Sequence, residues 1–173
     1  MSSLSTPRDL ATLPSGVRVF IDANVFIYHF TQAPLTSACT SFLQRVEAGD
    51  LYGITSVVIL AEVAHRLMIL EAIGSFGLSP RTAVKKLKEQ PGLVQQLFHY
   101  KVVTERMPSF NVAVEPVTFE HCRIAQSLSV LHGLLTNDSL TAAAMQALGV
   151  ADVASNDSDL AGVPGVTLWR PQL

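Results

Sequence analysis

Four acids, Asp22, Glu62, Asp138 and Asp157, have the type and spacing to do chemistry together. Carboxylates brought to one place repel each other and raise their own pKa values unless a cation compensates them. Magnesium and manganese favour oxygen ligands and keep several waters, so acids and phosphate oxygens can complete their shell. One such ion would orient and activate a water for attack on phosphorus, and a second would stabilise the leaving oxygen. Neither histidine nor cysteine falls at zinc-like spacing, and Cys39 and Cys122 form no CxxC pair or disulfide framework. Single acids at strand and helix ends also serve as caps or solvated groups, so spacing alone leaves both readings open.

The elements that must position these acids follow from the apolar pattern. VRVFID, residues 17–22, is expected to be a buried strand with Asp22 at its carboxyl end, followed closely by the helix ANVFIYHF. Residues 35–48 carry apolar positions at helical spacing before Gly49. LYGITS is a second strand, and Ser56 is expected to cap a helix that contains Glu62 and ends at Gly74. PRTAVKKLKEQ and PGLVQQLFHYKVVTERM are expected as two helices, each started near a proline. VAVEPV is a third strand, and Thr118 is a cap for FEHCRIAQSLSVLHG. The alanine-rich TNDSLTAAAMQALG is a helix with Asp138 at its start, VADVASND is a fourth strand, and VTLWRP is a fifth. Strands alternating with helices, most of them continuously apolar, predict a parallel sheet covered on both faces. Ligands gather beyond the carboxyl ends of such strands, where Asp22 and Asp157 both fall.

The 173 residues suit one domain with a real core, and residues 75–110 are expected to be a helical insertion in it. No secretory leader or membrane-length apolar run is present, so a soluble, cytoplasmic protein without membrane partners is expected. Charged residues are only 15% of the chain, so a second subunit or another protein is expected to cover some apolar surface. The formal net charge of -2 argues against a generally basic nucleic-acid binder. Its distribution is uneven: Arg81, Lys85, Lys86, Lys88, Lys101 and Arg106 against Glu89 and Glu105 leave +4 over 81–106, so the remainder carries -6. A metal-holding acidic body joined to a polyanion-holding basic region would have this distribution, as would a plain solvated face.

VFIDANVFIYHF, TSVVILAEVAHR, LLTNDSLTAAAMQALGV and DVASNDSDLAGVPGVTLWRP occur in that order across almost the whole chain except 75–110. In these stretches the chain resembles the PIN-domain nucleases, and in particular the VapC-type ribonuclease toxins of toxin–antitoxin pairs. The resemblance implies a three-layer α/β/α fold with a central parallel sheet of about five strands. It also implies a Mg2+- or Mn2+-dependent endoribonuclease, with Asp22, Glu62, Asp138 and Asp157 as the metal-binding acids. Asn24 matches the small polar residue supporting the first acid, and Ser155 the hydroxyl residue beside the fourth. A homodimer, an RNA substrate and a cognate antitoxin whose tail enters the acidic groove are implied as partners.

Several neighbours have two readings. Asn24 is either that support or a local helix cap; Asn137 bonds backbone near Asp138 or acts directly; Asp159 reaches the metal through water or caps the turn before Leu160. Arg66 is a phosphate contact or the charge partner of Glu62, and His65 is a hydrogen-bonded histidine before it is a ligand. Tyr28, His29 and Phe30 are expected to pack. Arg81, Lys85, Lys86 and Lys88 are candidate RNA contacts. The alternatives to a toxin are an RNA-processing or DNA-structure nuclease without an antitoxin, and a non-catalytic RNA- or partner-binding protein.

Overall fold

The computed structural model describes residues 6–173. Continuously apolar segments become the strands of one wholly parallel sheet. In chain order these are β1 (Arg8–Asp9), β2 (Arg18–Ile21), β3 (Tyr52–Ser56), β4 (Ala113–Glu115), β5 (Asp152–Ala154) and β6 (Thr167–Arg170). The order across the sheet is β1-β6-β5-β2-β3-β4. Among the described residues six strands are present where about five were expected. The extra one, β1, is a two-residue edge strand defined only by its pairing of Arg8 with Trp169 and Asp9 with Arg170.

Among the described residues, eight helices connect and cover the strands: α1 (Ala23–Phe30), α2 (Thr36–Glu47), α3 (Val57–Phe76), α4 (Ala83–Glu89), α5 (Pro91–Val94), α6 (His99–Arg106), α7 (Phe119–His132) and α8 (Thr136–Leu148). The crossovers β2-to-β3 and β3-to-β4 step one way across the sheet, and β4-to-β5 steps back over it. Right-handed crossovers therefore put α1 to α6 on one face and α7 and α8 on the other, giving three layers. The helix contacts agree: α1 packs on α2 and α3, α3 on α6, and α7 on α8. Val19, Phe20 and Ile21 at the centre of the sheet are wholly buried. None of the helices among the described residues is long and apolar enough to cross a membrane.

Two helix boundaries differ from the sequence reading. α3 runs through Gly74 and ends at Phe76, because Gly77 takes the left-handed cap conformation (φ 61°) that favours glycine. The single helix expected over 91–107 is broken into α5 and α6. The break is held by Glu71 of α3, whose carboxylate accepts the backbone N–H groups of Phe98, His99 and Tyr100 at 2.8, 3.0 and 2.8 Å. A distant acid thus satisfies the first amides of α6, which lacks a side-chain cap of its own. Around this point a small second core of Ala72, Leu87 and Leu97 ties α4 to α6 to the outer part of α3.

Helix α2 approaches the sheet over Gly53. A Cβ there would lie 2.5 Å from Val46 Cγ1 and 2.9 Å from Ile21 Cδ1, both parts of packed core side chains. Gly53→Ala should therefore destabilise the fold by about 1–3 kcal/mol through overpacking. Urea unfolding checks this as a lower midpoint at unchanged slope.

Candidate active site

β2 pairs with β3 on one side and β5 on the other, so the connections leaving β2 and β5 part in opposite directions. The carboxyl ends of these two strands form the crevice where open α/β sheets bind ligands. Asp22 follows β2 directly, and its backbone N–H is bonded to Ala154 O of β5 at 3.1 Å. Asp157 lies three residues beyond β5. Glu62 enters from the second turn of α3, and Asp138 from the first turn of α8. These four acids and Asp159 line one cavity of about 580 Å³, together with Asn24, Arg66 and Asn137.

Asp22 is fixed from three directions. It is the N-cap of α1: its Oδ1 accepts the Ala23 N–H at 2.7 Å, while Oδ2 accepts from Asn24 Nδ2 and Ser155 Oγ, both at 2.6 Å. Ser155, fully buried, is the hub. Besides donating to Asp22 it accepts from Asn24 Nδ2 at 2.9 Å and from the Asp157 N–H at 3.0 Å. Asn24 supports the acid and does not cap the helix, and its Oδ1 also accepts the Asn156 N–H at 2.9 Å. Asn156 in turn donates to the Tyr28 hydroxyl and accepts from Arg170 Nη2, both at 3.1 Å. Tyr28 thus braces the loop after β5, a role its apolar neighbourhood in the sequence gave no sign of.

Asp157 Oδ1 accepts the Asp159 N–H at 3.1 Å, so Asp157 closes the turn after β5 and Asp159 leaves its own carboxylate facing the cavity. Asn137 Nδ2 donates to Glu62 Oε2 at 3.3 Å, joining α8 to α3 across the cavity. Arg66 stands one turn beyond Glu62 and its charge stabilises that carboxylate; His65 is exposed and turned away from the cavity wall. Arg81, Lys85, Lys86 and Lys88 are exposed and outside the cavity, with Lys85 and Lys86 paired to Glu89 at 3.7 and 4.0 Å.

The electrostatics match the crowding. Burial raises the Asp138 carboxyl most, and the charges of Asp159, Asp157, Asp22 and Glu62 add to it, so its pKa is pushed up to about 6. Burial also raises Asp22, helped by Asp157, against the lowering effect of its hydrogen bonds. Glu62 is raised by burial and then by Asp22, with Arg66 and Asn137 opposing. The Asp157 charge raises Asp159.

The PIN domain family model matches residues 19–166, which includes every acid of the cavity. The chain belongs to the PIN-domain family. No curated protein matches its sequence. Solved structures resemble it in fold at low sequence identity. A toxin–antitoxin complex from Klebsiella pneumoniae is 17% identical over 86% of this chain and 95% of that one, with a TM-score of 0.50. VapBC2 from Rickettsia felis, bound to a DNA fragment from its promoter, is 12% identical over 90% and 100%, with a TM-score of 0.57. VapC20 from Mycobacterium tuberculosis, a toxin that cleaves the sarcin–ricin loop, is 18% identical over 86% and 98%, with a TM-score of 0.54.

Among the described residues of this PIN domain, no three histidine, cysteine, aspartate or glutamate side chains are closed to metal-holding geometry. The donors nonetheless fit a hard cation in kind. They are all oxygens; burial and then neighbouring acids raise the pKa of Asp22, Glu62 and Asp138, and the Asp157 charge raises Asp159.

A pH dependence follows for the metal-free PIN domain. Because the folded-state pKa of Asp138 lies above its ordinary value of 3.8, its contribution favours folding below that value and is lost as pH rises through about 6. With chelator present, Asp138→Asn should therefore raise the melting temperature at pH 8 and change it little at pH 4. Removing the hub has the opposite sign: Ser155→Ala leaves Asn24 and the Asp157 amide short of a partner and should cost about 1–3 kcal/mol by chemical denaturation.

Proposed function

We propose that this PIN domain is a divalent-metal-dependent endoribonuclease and the toxin of a toxin–antitoxin pair. The observation that carries the reading is the set of five carboxylates lining one cavity at the β2/β5 switch point, with several pKa values raised by burial and mutual repulsion. Asp22, Glu62, Asp138 and Asp157 would hold Mg2+ or Mn2+, with Asp159 beside them. When bound, the ion supplies a hydroxide-like water at neutral pH and charge neutralisation at the scissile phosphate.

The chain's own residues do the rest. Ser155 and Asn24 keep Asp22 from rotating away, so its oxygens stay at the cavity floor. Asn137 holds Glu62 to the start of α8, where Asp138 sits. Arg66 supplies a positive charge at the rim for a phosphate oxygen. The toxin assignment rests on likeness to structures described as toxins or toxin–antitoxin complexes. It carries with it an antitoxin partner that reaches the acid cavity with a basic side chain, and a homodimer.

Hydrolysis by a metal-activated water leaves a 5'-phosphate and a 3'-hydroxyl. Asp22→Asn and Asp138→Asn keep the side-chain shape while removing ligand charge, so each should lower RNA cleavage by about two orders of magnitude or more. Product end-group analysis checks the first statement and single-turnover cleavage the second. Cyclic 2',3'-phosphate ends formed in chelator, or full activity in either variant, would refute the reading.

A further inference from the structure

One face of α3 changes chemistry along its length. Glu62 faces the acid cavity, Arg66 stands one turn on, and Ile69, Leu70 and Ile73 follow at helical spacing. Together with Ile27 and Tyr28 of α1, these apolar side chains wall a groove of about 350 Å³. Asn24, Ile27 and Arg66 line both this groove and the acid cavity, so the two adjoin. Pro80 also lines the groove, and in sequence it is followed directly by exposed Arg81 and then by Lys85, Lys86 and Lys88 of α4.

This succession alternates in the way a nucleic-acid strand does. An anionic cavity suited to a metal-bound phosphate is followed by a guanidinium, then by an apolar trough, then by cations. Arg66, Arg81 and Lys88 make no ion pair with an acid within 4 Å among the described residues, unlike Lys85 and Lys86. Leu70 is 46% exposed on the groove wall, a large apolar side chain kept in water beside a cation.

We propose that this groove is a nucleotide subsite for single-stranded RNA: the base of the nucleotide next to the scissile bond lies against Ile69, Leu70 and Ile73, and Arg66 holds the phosphate between that nucleotide and its neighbour. Arg66 in the groove wall and exposed Arg81 beside Pro80 flank the trough with cations and select a polyanion as the occupant, and the aliphatic walls offer contact to a base face without reading its edge. Asn24 is already bonded to Asp22, Ser155 and the Asn156 N–H, and the Tyr28 hydroxyl accepts from Asn156, so they leave few free polar atoms for base readout. The subsite therefore positions the strand with weak base preference. The proposal rests on the ribonuclease reading above.

The test is a pair of double-mutant cycles on kcat/KM with a short single-stranded RNA that the parent cleaves at one mapped bond. In the first, the RNA carries one abasic ribonucleotide, moved stepwise along the strand, and the protein is parent or Leu70→Ala. Leu70 is exposed enough for alanine to leave the fold intact, which thermal denaturation verifies. Removing the base next to the cleaved bond should cost the parent about fivefold to tenfold. Leu70→Ala should cost several-fold on intact RNA and almost nothing on that abasic RNA. In the second, Arg66→Ala is crossed with a single methylphosphonate adjoining the scissile phosphate, and the two losses should again fail to multiply. Losses that multiply independently in both cycles, with RNA still cleaved, would overturn the subsite alone and leave the groove to a protein partner. A parent that cleaves no RNA would overturn the ribonuclease reading and the subsite with it.

Discussion

Gathering like charges in a part-buried cavity requires bonds that outweigh their repulsion, and in this chain those bonds converge on Ser155. Its hydroxyl donates to Asp22 and accepts from Asn24 and from the Asp157 amide, so the ends of β2 and β5 are locked to each other through one buried atom. Asn156 extends the lock to Tyr28 and Arg170. The sheet, α1 and the loop after β5 are therefore one rigid support, while Glu62 and Asp138 are delivered to it by α3 and α8 from opposite layers. Burial first, and then the repulsion left over after these bonds, raise the pKa of Asp138, Glu62 and Asp22. The same residual charge makes the cavity receptive to a hard cation.

α3 links the cavity to the rest of the molecule. Its inner half carries Glu62 and Arg66, and its outer half carries Glu71, which caps α6, and Ala72, which anchors the second small core. The 75–110 region is thus attached to the helix that also forms a wall of the site. A tether of this kind lets the basic α4 stand at a defined distance from the acids. On the proposed reading, chemistry and substrate positioning share one helix.

The parts of the fold that rest on local pattern were legible in the sequence. Apolar runs gave β2, β3, β5 and β6, and the polar caps Ser56 and Thr118 stand at the helix starts expected of them. The acids could be placed at strand ends and helix starts by the same means. What escaped depends on tertiary partners. β1 has no strand pattern of its own and exists because Arg8 and Asp9 pair with β6. The break between α5 and α6 is imposed by Glu71, about 27 residues earlier in the chain. Gly74 reads as a helix stop, yet the left-handed turn falls at Gly77, since only the packed context decides which glycine leaves the helix. The bracing by Asn156 and Tyr28, and the hold of the Asp157 carboxylate on the Asp159 N–H, depend on side-chain directions that spacing does not encode.

This cavity is expected to take a divalent cation because its acids repel one another. Titration of Mn2+ into the metal-free protein, followed by the loss of free-ion electron paramagnetic resonance signal, tests that directly. Saturable binding that Mg2+ displaces, and that Asp138→Asn and Asp22→Asn each weaken by at least about tenfold, is the predicted result. Mn2+ that fails to bind, or that binds equally well to the parent and to both variants, would contradict it.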